Sequence, residues 1–130
     1  MRKTTIKALA LLLAVSLLLL AGCNANSIAV SVRIIASQDV ILYDGTVSLT
    51  AEQPTAMDAT VAALSDGKLP AATESDGYVS AIAGIDSTDT DGWLLYYNGE
   101  MGMLGAKEQI LGEGDTIEWK YLNYDEVFGG

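Results

Sequence analysis

Hydrophobic and polar positions along this chain follow three successive regimes. Residues Ala8 to Leu20 form a thirteen-residue apolar run, broken only by Ser16, behind a basic start at Arg2, Lys3 and Lys7. From Ile28 to Ile35 the pattern alternates, with Val30, Val32 and Ile34 on one side and Ser31 and Arg33 on the other. A period of two marks a half-buried strand. Ser37-Gln38-Asp39 is turn-like, Val40 to Tyr43 is a short apolar run, and Asp44-Gly45 predicts a turn. Thr46 to Thr50 then predicts a second strand, antiparallel to the first.

After Pro54 the period lengthens to that of a helix. Thr55 and Asp58 have capping-box spacing, with Asp in place of the usual Glu. Met57, Val61 and Leu64 recur at i, i+4 and i+7 among alanines. That stripe predicts one amphipathic helix packed onto a sheet and ended by Asp66-Gly67. Thr73 to Gly77 reads as a polar loop, and Tyr78 to Ile85 as a strand broken at Gly84. Gly92 to Tyr97 alternates again, placing Trp93, Leu95 and Tyr97 on one face and Leu94 and Tyr96 on the other. Asn98-Gly99 tolerates the positive φ of a tight turn. Glu100 to Gly105 is a glycine-rich loop, Gly112 to Asp115 a turn, and Thr116 to Leu122 the last strand, with Ile117, Trp119 and Tyr121 on one face. Two strands, one helix and further strands in this order predict an α+β fold: a β-grasp-like mixed sheet packed on a single helix.

Charge and composition narrow the partners. Seven basic residues face seventeen acidic ones, a formal −10. Loss of Arg2, Lys3 and Lys7 with a leader would leave four basic residues and a net charge of −13. Nucleic acid is excluded as a partner, because phosphate contacts require Lys and Arg. The chain contains no histidine, which removes the commonest general base and the commonest neutral metal ligand. Its one cysteine, Cys23, makes no internal disulfide, so a hydrophobic core must hold the domain.

The N-terminal pattern is that of an export signal, a basic n-region and an apolar stretch too short to span a bilayer. It ends in Leu20-Ala21-Gly22-Cys23, which resembles the bacterial lipobox, where small residues precede a cysteine that is diacylated and becomes the mature N-terminus. Two acyl chains, at about 0.8 kcal/mol per buried methylene, anchor stably where one does not. The expected organisation is a lipoprotein signal peptide at 1–22, a lipidated cysteine and short tether at 23–27, a β-grasp domain at 28–122 and an acidic tail at 123–130. The expected location is the extracytoplasmic face of the cell membrane, with the bilayer as a partner through Cys23.

Candidate chemistry lies in aromatic and methionine side chains. Tyr78, Trp93 and Tyr97 offer stacking faces, and Met101, Met103 and Leu104 offer adaptable apolar contact beside flexible glycines. Sheet packing is the plain alternative for Trp93 and Trp119, and loop anchoring for the methionines. The Asp86–Gly92 segment falls short of a calcium loop, because Asn98 occupies the position where a bidentate Glu is needed. No metal site or catalytic set is expected: histidine is missing, no Gly-x-Ser-x-Gly elbow occurs, and the carboxylates are scattered in loops.

Certain motifs also recur in a family order. Pro54-Thr55 with Met57-Asp58-Ala59, then Ser75 to Gly84, Gly92-Trp93 to Asn98-Gly99, and Gly105-Ala106 to Gly114-Asp115-Thr116-Ile117-Glu118-Trp119 resembles the transcobalamin C-terminal-like domain (DUF4430), related to the soluble-ligand-binding β-grasp group. The resemblance implies a small β-grasp lobe of the kind that closes over one face of a corrinoid. It further implies ligand-facing segments at the loop before Tyr78, including Ser75, on the Trp93 strand, and from Met101 through Gly105. With no histidine, no imidazole of this chain would ligate cobalt. The expected function is therefore a non-enzymatic, membrane-anchored binding lipoprotein without a resident cofactor. It captures a small soluble ligand, cobalamin-like corrinoid being the candidate, for a membrane transporter. The alternative is a protein-interaction or envelope-structural β-grasp module.

Overall fold

The computed structural model describes residues 27–129; the leader, Cys23 and the tether to Asn26 lie outside the described residues. Strand β1 (Ser27–Ala36) turns through Gln38 and Asp39, both at positive φ, into β2 (Val40–Thr50). Helix α1 (Ala56–Asp66) follows, then a small meander of β3 (Thr73–Ser75), β4 (Tyr78–Ile82) and β5 (Ile85–Asp86). Strands β6 (Asp91–Tyr97), β7 (Glu100–Met101) and β8 (Thr116–Asn123) complete the main sheet, and a short helix α2 (Tyr124–Phe128) closes the chain.

The main sheet has the order β2-β1-β8-β6-β7. Strands β1 and β8 run parallel at its centre, and its other pairings are antiparallel. This is the mixed α+β sheet on one principal helix that the element order predicts. The alternation places Val30, Val32, Ile34, Ile117, Trp119 and Leu95 on one face, all buried beneath α1. The opposite face carries Arg33, Glu118 and Lys120, with Arg33 Nη1 3.3 Å from Glu118 and the Lys120 ammonium 4.4 Å from the centre of the Tyr96 ring.

Three local expectations are corrected. Asp44-Gly45 is not a turn. It lies within β2, opposite Arg33 and Val32, because the Tyr43 side chain folds over the α-carbon of Gly45 and a β-carbon there would sit 2.8 Å from the Tyr43 hydroxyl. The helix does form, with the Thr55–Asp58 capping box reciprocal as predicted. Its buried face, however, is Ala56, Ala59, Thr60, Ala63 and Leu64, while Val61 is exposed and Met57 only partly covered. Small side chains let α1 lie close to the sheet, and the large Trp119 rises from the sheet to fill the space. Thr73 to Gly77 is a strand and a turn rather than a loop, and the break at Gly84 is a second two-residue turn, Ala83-Gly84, with both residues at positive φ. From Tyr124 to Phe128 the tail is the short helix α2. Asn123 caps α2 by accepting from the Asp125 and Glu126 N–H groups.

Candidate functional site

A cleft opens where the β3–β4 hairpin approaches the loop that follows β7. One wall is Gly77, Tyr78 and Val79; the facing wall is Gly102, Leu104, Gly105 and Ala106. Trp93, Leu95 and Trp119 form the floor, and Leu94 completes the lining of a cavity of about 200 Å3. None of these side chains carries a charge. In a chain with a formal −10, that is a local exception.

The local sequence explains each position. Asp76 and Gly77 both adopt positive φ, as the two-residue hairpin turn demands, and so present Tyr78 at the tip with 54% of its surface exposed. The Tyr78 hydroxyl lies 3.2 Å from that of Tyr124 on α2. Trp93 is only 4% exposed. Its indole N–H donates to the Ile85 carbonyl at 2.8 Å, and its ring meets Tyr121 edge-on, with centroids 5.1 Å apart. The neighbouring Gly92 has no room for a side chain, because the Tyr124 hydroxyl occupies the place of a β-carbon. Trp119 donates its indole N–H to Thr60 Oγ1 at 2.8 Å, tying the floor to α1. On the loop side, Gly105 faces the Gly77 carbonyl across the cleft, 3.5 Å from where a β-carbon would lie.

Of the residues expected to face ligand, the cleft brings together Tyr78, Trp93, Leu104 and Gly105. Ser75 is exposed at the end of β3, paired with Tyr78 but outside the lining. Met101 pairs with Tyr96 on β7 and so shares the sheet's open face, away from Trp93. Met103 is 94% exposed at the loop crest. Tyr97 is occupied elsewhere, its hydroxyl donating to Asp115 Oδ2 at 2.8 Å, and that contact, with burial second, raises its pKa above the ordinary tyrosine value. Burial pushes the Asp115 carboxyl up, but hydrogen bonds from the Gly112 N–H, Asn98 and Tyr97 outweigh it and hold the group below its usual range. That cluster fixes the Gly112–Asp115 turn against Asn98 and is structural.

Gly77 and Gly102, which make the walls, fall inside the segments expected to face ligand, but sequence reasoning missed the ion pair that joins those walls. Lys107 Nζ lies 2.7 Å from Glu74 Oε2, and the other Glu74 oxygen accepts the Gly77 N–H at 2.7 Å. The Lys107 contact first, then the Gly77 bond, hold the Glu74 carboxyl below its usual value. The Asp76-Gly77 dipeptide was the available signal for this hairpin.

Four other hollows are larger; that of about 220 Å3, lined by Met57, Val61, Leu64, Ser65, Leu69, Ala71 and Ala72, is uncharged too but has no aromatic wall, and that of about 230 Å3 lies beside Thr46 and Asp66. One, of about 290 Å3 on the sheet's open face, is lined by Arg33 and Glu118, which already neutralise each other, along with Lys120 and Tyr96. Another, of about 480 Å3 beside Ser27, Ser48 and Glu113, is a surface depression about as open as the cleft but with no aromatic lining. Among the described residues no three Asp, Glu, Cys or His side chains converge to hold a metal ion.

The family model described as Domain of unknown function (DUF4430) matches residues 54–123, which contain both walls and the floor of the cleft. The chain belongs to the DUF4430 family. Among solved structures, this DUF4430 protein is similar to haptocorrin in complex with cobinamide, with a TM-score of 0.61 and 18% identity over 74% of this chain. The match covers 25% of haptocorrin, so the chain spans about a quarter of that protein's length. It is also similar to a protein of Ruminococcus gnavus whose name only suggests metal binding, with a TM-score of 0.54 and 12% identity over 74% of this chain and 97% of that one. At these identities the likeness is one of fold alone. No curated protein sequence matches the chain.

Proposed function

We propose that this DUF4430 domain is a non-enzymatic, extracytoplasmic binding module, held to the membrane through acylated Cys23, that captures a small soluble ligand of corrinoid type for a transporter. The observation that carries the reading is the cleft: a concave, uncharged site with aromatic and glycine walls in an otherwise acidic molecule. Sites for small molecules are mostly apolar concavities with a few polar groups at the margin. The fold shared with a lobe of haptocorrin, a protein solved with cobinamide, supports the choice of ligand class.

The register favours such a role. Trp119 lies opposite Ile34, seven residues along β1 from Ser27. At roughly 3.3 Å per residue, the cleft floor lies about 23 Å from the strand's tethered end. Among the described residues no helix is long and apolar enough to cross a membrane.

Titration with cobalamin, cobinamide and haem, followed by absorbance and tryptophan emission, tests the proposal. Binding at micromolar concentrations is expected. No spectral change at tens of micromolar would sink the corrinoid form. The second reading, a protein-interaction module, draws on the edge strand β2, where Val40 and Ile41 are each about half exposed.

A further inference from the structure

The open cleft holds about 200 Å3, less than the roughly 300–1,000 Å3 typical of small-molecule sites, so displacement of one wall would enlarge it for a ligand of the proposed class. The loop wall is pinned at both ends. The Gly102 N–H donates to the Leu95 carbonyl at 2.8 Å, and the Met57 N–H at the start of α1 donates to the Ala106 carbonyl at 2.9 Å. The Ala56 N–H reinforces this by donating to Gln109 at 2.9 Å.

The hairpin wall is different. Its tip, Glu74 to Tyr78, holds one register pair within itself, Ser75 with Tyr78, and just beneath it the register shifts between Thr73 and Glu74. Such an irregularity is a place where a strand bends. Among the described residues, the side chains of this tip bond to other elements at two points. One is the Tyr78–Tyr124 hydroxyl contact; the other is the Glu74–Lys107 ion pair at 2.7 Å. Glu74 is a hub, because the carboxylate that fastens the tip to the loop also shapes its turn through the Gly77 N–H.

We propose that the β3–β4 tip is a flap over the Trp93–Trp119 floor and that the Glu74–Lys107 pair is its latch. This rests on the cleft being the ligand site, and it adds how that site opens. Lys107 keeps 57% of its side chain in solvent, so the pair is screened by salt and breaks reversibly, as a latch requires. The flap swings on the register shift, the pinned loop stays in place, and the two indoles become accessible.

Hydrogen exchange at Gly77 to Val79 and acrylamide quenching of the tryptophans test this without any ligand. Lys107→Met should raise exchange at the tip about two- to fivefold, the range that loss of one exposed ion pair produces, and should raise quenching with it. Lys107→Arg should restore both, and about 1 M NaCl should reproduce the effect in the unaltered protein. Amides of α1 should be unchanged. The latch is overturned if the tip exchanges at the same rate in Lys107→Met, or if α1 quickens equally, which would mean general loosening. Because no ligand enters these measurements, a chain that opens as described but binds no corrinoid refutes the ligand assignment and leaves the latch standing.

Discussion

Replacing Thr60 by Val tests how the cleft floor is held. Thr60 is fully buried, and its hydroxyl donates to the Ala56 carbonyl at 2.7 Å while accepting the Trp119 indole N–H at 2.8 Å. Valine keeps the shape and deletes the hydroxyl. The Ala56 carbonyl retains its helical partner, so what is stranded is the indole N–H. A buried donor left without an acceptor costs about 1–3 kcal/mol. For a domain of about 100 residues that lowers Tm by roughly 5–20 °C. Thermal unfolding by circular dichroism reads the shift, and a double-mutant cycle isolates its cause. In a Trp119→Phe background there is no N–H to strand, so Thr60→Val should cost well under about 1 kcal/mol there. Equal losses in both backgrounds, or a Tm in Thr60→Val within about 2 °C of the parent, would refute the account.

Two more outcomes follow from close contacts elsewhere. Gly92→Ala should expel the Tyr124 hydroxyl and release α2, raising hydrogen exchange at Asp125 and Glu126 while the sheet stays protected; unchanged protection there would show that the Gly92–Tyr124 contact is dispensable. Tyr43 donates to Asp66 Oδ2 at 2.7 Å, and burial first, then that carboxylate, push its pKa to about 12. A pKa raised by folding means that this stability is complete below the unfolded value of about 10 and is lost as pH climbs from there toward 12. Urea midpoints measured across that window should fall less steeply in Tyr43→Phe than in the parent, and parallel curves would contradict the assignment.

The Asp-Gly dipeptides show what sequence alone determined and what it did not. Alternation fixed the faces of β1, β6 and β8, because a period of two survives in any sheet that buries one side. The Thr55–Asp58 box fixed where α1 begins, since both of its bonds are local. Asn98-Gly99 marked its own hairpin, with both residues at positive φ. Yet Asp76-Gly77 turns the chain while Asp44-Gly45 runs straight within β2. Nothing in either dipeptide separates them. The difference lies in Tyr43, which covers Gly45 and reaches across to Asp66 on α1.

The same holds for the helix face and the cleft. Met57, Val61 and Leu64 gave the stronger periodic stripe, but the alanine face won because it admits Trp119 and its bond to Thr60. An opposing tryptophan is invisible to a helical wheel. The candidate site was legible as a set of aromatic and glycine segments, and half of the expected side chains do meet there. Which half depended on register and on contacts far apart in the chain. Pairing with Tyr96 took Met101 to the open face, Asp115 claimed Tyr97, and a carboxylate at position 74 met an ammonium at 107. Local chemistry writes strands, caps and turns into the sequence. Tertiary packing decided which surfaces face each other, and with them where a ligand could enter.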